Sequence, residues 1–566
     1  MGATPYTTIK LMRRYPCGPD YENSLYFANV VAQTNYMDTL VFKTFTNQSF
    51  QRPSRGRIRL QIAFTDSETV NYLAWNGKKN PNVASDVWYY AFVTGVKCIN
   101  EAVTEFEYQI DIIQTYWWLV TVQRCFVERE NTVSDAPYEH LIDEGISIGE
   151  YTNKKTYSLP SALTDLVLII AASFNKNLED ASTGRINGLF NGLSYNLFDL
   201  TDTGIQAAID FLSQVANQGK TDGIVSCFYA PRFGFTSFGG SFVRPAFSDA
   251  KFQNVTRSDG SSIRNNKLLS YPYTYLYVTN NAGDAETYKF ELFDGDNIYF
   301  NFTCDTTCSP SVICIPASYN NGARYQTIGI TGYPVCSYTN DSFKAWLAQN
   351  GANFIGSKIS TFANGAAQIA GGLSAERVAS YRQASIQNDL HGGYDYSAQI
   401  AAQEAGNMAR VRTAAGAANV GGQVLSTFGT LYGASIAPNT AAGVGSSSTL
   451  YCAGLLNFTM IARSVHPKFI DSIDDYFDMF GYKVNVQKRP TFNNRPHWTY
   501  VKTQNCQLTG YVGNNVSSAF KNILNNGIRF WRNGAEVGQY NLDNRPVSAQ
   551  VADGTMSVEE AQAYEA

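Results

Sequence analysis

Residues 87–96 read VWYYAFVTGV and residues 106–112 read FEYQIDI, and these two runs decide the fold class. In FEYQIDI an apolar side chain stands at every second position, the period of a strand with one buried face. VWYYAFVTGV is apolar and aromatic almost throughout, which fits a strand covered on both faces or paired with another subunit. More apolar surface than a monomer leaves in water favours burial between identical neighbours in a closed ring. Residues 57–62 (RIRLQI) alternate as FEYQIDI does. The whole chain leans the same way: 36 Tyr, 34 Phe and 7 Trp make 14% of its residues aromatic, and bulky rings pack well on pleated sheet. At 566 residues, several folded units are expected. The expected class is mainly β (α+β) and multidomain.

Helical spacing is confined to a few places. One helix is expected over 204–217, stopping at Gly219. A second, over 467–480, places Phe469, Ile473, Tyr476, Phe477 and Phe480 on one face and ends at Gly481. A third covers 516–524 and runs into Asn525, Asn526 and Gly527. Periodic apolar residues followed by glycine are the ordinary signature of a capped amphipathic helix.

The charge balance excludes a general nucleic-acid-binding surface. There are 43 basic and 47 acidic residues, a formal charge of −4 and a pI near 5.7, whereas phosphate contacts need excess lysine and arginine. Ten cysteines without a C-x-x-C pair are too few for a disulfide scaffold and fit a reducing compartment. The start, MGATPYTTIKLMRRYPCG, carries no apolar core of signal-peptide length, and Tyr6 stands where myristoylation requires Ser or Thr. Synthesis in a cytosol is the expectation.

The composition changes abruptly over 351–455, where Ala and Gly dominate and aromatic residues thin out. Residues 413–462 contain no Asp, Glu, Lys, Arg or His. A first arm, 352–373, spaces Ile355, Ile359, Phe362, Ala366, Ile369 and Leu373 along one helical stripe. Such a helix rises about 33 Å, close to the thickness of a bilayer core. The second arm carries Val420, Val424, Leu425, Phe428 and Leu431. A polar middle from Glu376 to Arg412 separates them, with Gly392 and Gly393 as a bend. Two readings stand. One is a small-residue helical hairpin packed on itself or a neighbour. The other is a conditional membrane segment, because Asn353, Lys358 and Gln368 in the first arm, and Gln423 and Ser426 in the second, make neither arm apolar enough to insert unaided.

Catalytic signatures are sparse. No phosphate-loop, H-E-x-x-H or G-x-S-x-G motif occurs, and the four histidines (His140, His391, His466, His497) show no i,i+4 spacing. Glu101, Glu105 and Glu107 cluster on a predicted strand, where a solvated face explains them better than a glycosidase carboxylate pair. Cys304, Cys308, Cys314 and Cys336 form the densest thiol group, compatible with zinc or, more simply, with buried free thiols or late oxidation. No cofactor is implied.

Several blocks taken together resemble a known family. WYYAFVTGVKCINEAVTEFEYQIDIIQTYWW (88–118), FVERE (126–130), LIDEGISIGEY (141–151), YPYTYLYVT (271–279), GYKVNVQKRP (481–490), YVKTQNCQLTG (500–510) and NNGIRFW (525–531) are similar, in this order, to the tail knob (distal tail tube) proteins of small short-tailed podoviruses. Residues 178–267 lie outside these blocks and are assigned to attachment of neighbouring tail parts. The resemblance implies a homohexameric tube with β-barrel-like domains at the distal end of a virion tail, made in the host bacterial cytoplasm. It further implies contacts with proximal tail or collar and tail-tip proteins, phage DNA passing through the lumen without specific binding, and apolar loops that plug the channel and then perforate the host cytoplasmic membrane. Here the charged stretch between the two arms favours a helical or disordered hairpin with a polar tip over one continuous apolar loop. The domain reading is 1–140 as a β-rich tube domain, 141–260 as an α+β domain, 261–345 as a β-rich domain, 346–455 as the membrane-active insertion, 456–545 as an α+β tube domain and 546–566 as a flexible acidic tail. No enzymatic role is expected; the alternatives are a tail-associated cell-wall hydrolase and a receptor-binding tail protein.

Overall fold

A computed structural model describes residues 7–48, 56–76, 88–180, 185–186, 189–190, 192–235, 242–243, 246–305, 307, 310–320, 327–331, 333, 335–336 and 457–565. The insertion expected at 351–455, with its two arms, lies outside the described residues. Among the described residues strand predominates over helix, and the chain divides into two units. Unit 1 combines Met1–Glu150, Asn254–Tyr273 and Val465–Ala566; unit 2 combines Tyr151–Gln253 and Thr274–Ser464.

In unit 1 the strands in chain order are β1 (Thr7–Arg13), β2 (Asn23–Leu25), β3 (Val41–Gln48), β4 (Arg57–Leu60), β5 (Val70–Asn76), β6 (Trp88–Asn100), β7 (Val103–Ile110), β8 (Val120–Val122) and β9 (Cys125–Glu130). Six of them form a sheet in the order β3-β1-β5-β6-β7-β4. The aromatic run falls on β6, in the middle of this sheet. Its alternate residues feed two cores: Tyr90 and Phe92 join Met12, Tyr72, Trp498 and Trp531, whereas Ala91 joins Ile9, Leu11, Trp75 and Phe106. Tyr90, Ala91 and Phe92 are buried by the chain itself, so the expectation that this stretch is left for a neighbouring subunit does not hold for them. A second sheet, in the order β2, Ile528–Trp531, Trp498–Gln504, β9, Tyr482–Lys488, interleaves the two ends of the chain.

The helix Pro467–Phe480 has the boundaries read from sequence. Proline at its first turn, where no amide partner is needed, and the His466 ring accepting from Lys468 N at 3.2 Å define its start. Gly481 closes it at φ 62°, its amide donating to Phe477 O at 2.8 Å. The helix Asn514–Asn526 stops likewise at Gly527 and buries Phe520 and Leu524 against Ile113, Val122 and Ile528.

Among the described residues, unit 2 holds the helix Asp202–Asn217 and three larger sheets. In one, Leu166–Ala172 (LVLIIAA) is buried at all seven positions between Ser194–Asp199 and Ile224–Pro231. A continuous apolar run is what a strand covered on both faces requires, and cores lie on either side of it. A second sheet runs Tyr151–Tyr157, Thr459–Val465, Thr274–Thr279, Ala285–Tyr288. The third is built around Asn297–Cys304 and Val312–Ala317.

Gly481 offers a sharp test of the unit 1 packing. A Cβ at this position would meet the Glu130 carbonyl carbon at 2.1 Å and its oxygen at 2.2 Å, backbone atoms that cannot swing aside. Gly481→Ala should therefore destabilise unit 1 by about 3 kcal/mol or more, combining left-handed strain with overpacking, as read by urea unfolding against Gly538→Ala. Gly538 also has positive φ but open space around its missing Cβ, and its alanine variant should lose only about 1 kcal/mol.

Candidate functional site

The richest side-chain constellation among the described residues is a buried ionic clasp in unit 1. It joins the helix Pro467–Phe480 to Asn254–Tyr273, the short segment that returns from unit 2 sequence into unit 1. Ile470, Ile473 and Phe477 are buried on that helix, and so are Asp474 and Asp478 one turn apart. The sequence had assigned an apolar face through Phe469, Ile473, Tyr476, Phe477 and Phe480; the buried face is turned from it to include the two carboxylates. Asp474 accepts from Arg257 Nη1 at 2.7 Å, Arg264 N at 3.0 Å, Asn265 N at 3.0 Å and Asn265 Nδ2 at 2.9 Å. Asp478 accepts from Arg264 Nη1 at 2.8 Å and shares Asn265 Nδ2 at 3.0 Å. Asp471 and Asp475 extend the row outward, to Ser258 and to Arg257 Nη2.

Continuous with the clasp, Glu144 accepts from Arg129 Nη1 at 2.5 Å, from Lys483 N at 3.0 Å and from Lys267 Nζ. Asp135 accepts from the Tyr482 hydroxyl at 2.7 Å and from Asn266 N at 2.9 Å. Each of these carboxylates is met by donors on at least one other segment, so their chemistry is that of a lock. A buried ion pair of this kind adds little net stability over an apolar equivalent, but removing one partner leaves the other charge stranded, at a cost of about 3–5 kcal/mol.

The other predicted groups are placed as follows. Glu105 pairs with Arg59 at 2.7 Å, and Glu107 with Lys97 at 2.7 Å and Arg57 at 3.0 Å, along the β4–β7–β6 surface; Glu101 is exposed. This is an ion-paired strand face. His140 Nε2 lies 2.9 Å from Ser134 O, and His497 Nδ1 lies 2.8 Å from Glu536. Cys304 and Cys314 are buried in one sheet of unit 2 and Cys336 stands in another, whereas Cys308 and His391 lie outside the described residues. Among the described residues, no group of three or more His, Cys, Asp or Glu is arranged to hold a metal, and no helix is long and apolar enough to cross a membrane. The ten residues assigned to the membrane-active loop, Ile355, Ile359, Phe362, Ile369, Leu373, Val420, Val424, Leu425, Phe428 and Leu431, all lie outside the described residues. Sequence reading missed an exposed apolar patch on unit 1. Val30, Val31, Trp118, Leu119 and Tyr511 are exposed there, with Trp118 Nε1 donating to Gln33 Oε1 at 2.8 Å and Gly510 against Leu119 O.

A family model described as the C-terminal domain of tail knob protein gp9 of Bacillus phage phi29 matches residues 242–545, and one described as the caudoviral major tail protein N-terminus matches residues 5–120. The chain belongs to the phi29 gp9-like family of podovirus tail knob proteins. Among its relatives, the tail knob protein gp9 of Bacillus phage B103 is 23% identical, covering 95% of this chain and 98% of the relative. That of Bacillus phage phi29 is 21% identical with the same coverage. The structure of the bacteriophage C1 tail knob protein gp12 superposes with a TM-score of 0.59 at 13% identity, covering 95% of this chain and 99% of that one, so the fold is shared over nearly the full length of both.

The clasp makes a pH dependence testable. Burial, then the neighbouring Asp474 charge, pushes Asp478 up to about 6, and burial pushes Asp111 up to about 6. Both groups hold a proton more tightly folded than unfolded, so the folded state gains stability as pH falls through 6 toward the ordinary carboxylate range. Unfolding free energy should rise between pH 7 and pH 5 by roughly 1 kcal/mol for each group. Urea titrations should show Asp478→Asn with a flatter profile over that window.

Proposed function

We propose that this chain is a nonenzymatic structural subunit of the distal tail tube: six copies close into a ring at the end of a short noncontractile tail and conduct the phage genome. The observation that carries this reading is the tail knob family match across 242–545. The ring is formed in the bacterial cytoplasm and contacts proximal tail or collar proteins on one side and tail-tip proteins on the other. The exposed patch of Val30, Val31, Trp118, Leu119 and Tyr511 is of the kind that a ring contact covers. Each copy carries a formal charge of −4, so a neutral to acidic bore lets DNA slide without the counterion-releasing phosphate contacts that would hold it.

The segment 346–455 plugs the channel and, once released, opens the host cytoplasmic membrane. Its composition supports this role: two uncharged or weakly charged arms bearing Ile355, Ile359, Phe362, Ile369 and Leu373 on one and Val420, Val424, Leu425, Phe428 and Leu431 on the other, joined by a polar tip. A single copy inserts poorly, because each charge near a bilayer centre costs about 2.5–3.5 kcal/mol. Six copies tethered to one ring act at high effective concentration, and arms lining a wet pore turn Lys358 and Gln368 to water. The division into 1–140, 141–260, 261–345, 346–455, 456–545 and 546–566 is retained as the working map of function along the sequence.

Two measurements test this proposal. Light scattering and electron microscopy of purified protein should give sixfold rings, and Trp118→Glu with Tyr511→Glu should shift them toward smaller species; a stable wild-type monomer at micromolar concentration would overturn the ring. Dye release from liposomes should be high for the intact ring and low for a ring lacking 351–455 or carrying Ile359→Asp and Phe362→Asp. Equal leakage from all three would remove the segment from membrane opening.

A further inference from the structure

The second sheet of unit 1 has two unlike edges. Its strand order is β2, Ile528–Trp531, Trp498–Gln504, β9, Tyr482–Lys488, so four strand spacings of about 4.8 Å set the outer strands about 19 Å apart. The registers put the two edges at one level across the sheet. Glu22 O accepts from Arg529 N at 3.1 Å, Arg529 faces Tyr500, Val501 faces Glu130, and Glu130 faces Tyr482.

The β2 edge is acidic and apolar. Residues 18–40 contain Asp20, Glu22 and Asp38 but no Lys, Arg or His. Asp38 pairs with Lys10, whereas Asp20 and Glu22 are exposed and meet no cation among the described residues. Val30 and Val31 open the helix Val30–Thr39 and are exposed. A run of amides ties the exposed Trp118 to the same edge: Trp118 Nε1 donates to Gln33 Oε1, Gln33 Nε2 to Gln114 Oε1 and Gln114 Nε2 to Leu25 O, each at 2.8 Å. The opposite edge is basic and apolar. Residues 481–490 contain Lys483, Lys488 and Arg489 but no acid. Lys488 is taken by Glu130, and the nearby Glu144 is held by Arg129 and Lys267. Asp143 turns into its own loop, onto Gly145 N at 3.0 Å. Lys483 and Arg489 join no ion pair among the described residues, and Phe126 and Val486 beside them are exposed.

We infer that these edges bind each other between copies: the edge bearing Asp20, Glu22 and Trp118 on one copy docks on the edge bearing Lys483, Arg489 and Val486 on the next. The inference rests on the ring proposed above and gives that ring its contact and its direction. Self-pairing of either edge would set like charges together, which weakens binding, whereas the unlike edges attract. Two different patches on one body join head to tail, and such a contact forms a ring when its rotation closes. Trp118 is the kind of aromatic anchor that carries a contact once covered, while the flanking charges fix its register.

The test uses the full chain. A carbodiimide, which couples a carboxylate directly to an amine, is applied to the ring and monomer fractions, and the peptides are mapped by mass spectrometry. The expected result is a link from Asp20 or Glu22 to Lys483 in rings and none in monomers, because within one chain the two edges lie too far apart to couple. Reversing one edge, by Asp20→Lys with Glu22→Lys or by Lys483→Glu with Arg489→Glu, should raise the concentration at which half the protein is in rings by about tenfold or more. Mixing the two reversed proteins in equal amounts should restore assembly, since alternating copies then set every edge against its opposite charge. The link needs no substitution and so reads the contact even where a variant folds poorly. Wild-type rings without the link, or a mixture of folded variants that assembles no better than its parts, would overturn this contact and leave the ring standing. Wild-type protein that forms no rings would overturn the ring and this contact together.

Discussion

The place of the segment Asn254–Tyr273 in unit 1 depends on two aspartates that a helix would ordinarily turn to water. Asp474 and Asp478 are buried on the helix Pro467–Phe480, and the cost of desolvating them is offset only because Arg257, Arg264 and Asn265 arrive from a segment more than 200 positions earlier. That segment, Asn254–Tyr273, is flanked on both sides in sequence by unit 2. The clasp therefore decides where it belongs. Without these donors the helix would carry two stranded charges into an apolar core, and without the carboxylates the segment would bring two guanidinium groups and the Asn265 amide with no partners.

The same logic of long-range closure repeats in the sheets of unit 1. β2 pairs in parallel with Ile528–Trp531, and β9 lies between two C-terminal strands. The abundant aromatic residues are used where these distant segments meet: the Trp498 and Trp531 rings are tilted by 38° with centres 4.8 Å apart and share a core with Tyr72, Tyr90 and Phe92. Such closure gives a body that holds its shape however far the chain excursion between its pieces runs. That suits the proposed tube subunit, whose moving part would be an insertion within the same chain.

The sequence was most legible where the physics is local. FEYQIDI alternates, and β7 follows; Pro467 and Gly481 punctuate a helix, and its ends fall there; Gly219 and Gly527 lie where helices have stopped. It was least legible where a residue's role depends on a distant partner. Asp474 and Asp478 look like the solvent side of an amphipathic helix because nothing nearby announces Arg257 or Arg264. VWYYAFVTGV left open whether it is covered on both faces by the chain or by another subunit, because the partners that cover it, Trp498 and Trp531, come from the other end of the chain. Leu166–Ala172 is a strand whose unbroken apolar run carries no period, so periodicity alone does not separate it from a buried helical segment. Nor can a linear list of domains express a unit whose pieces are 1–150, 254–273 and 465–566. The ten residues assigned to membrane opening rest on the sequence, where spacing and the lack of charge carry the reading.

The proposed body with an inserted plug makes a definite claim about the particle, and a cryo-electron-microscopy reconstruction of the tail tip before and after genome release tests it most directly. The account predicts six copies around the tail axis in both states, unit 1 unchanged between them, and density for residues 351–455 inside the bore before release and outside it afterwards. A tip without sixfold order, or a bore that is empty of this segment before release, would contradict it.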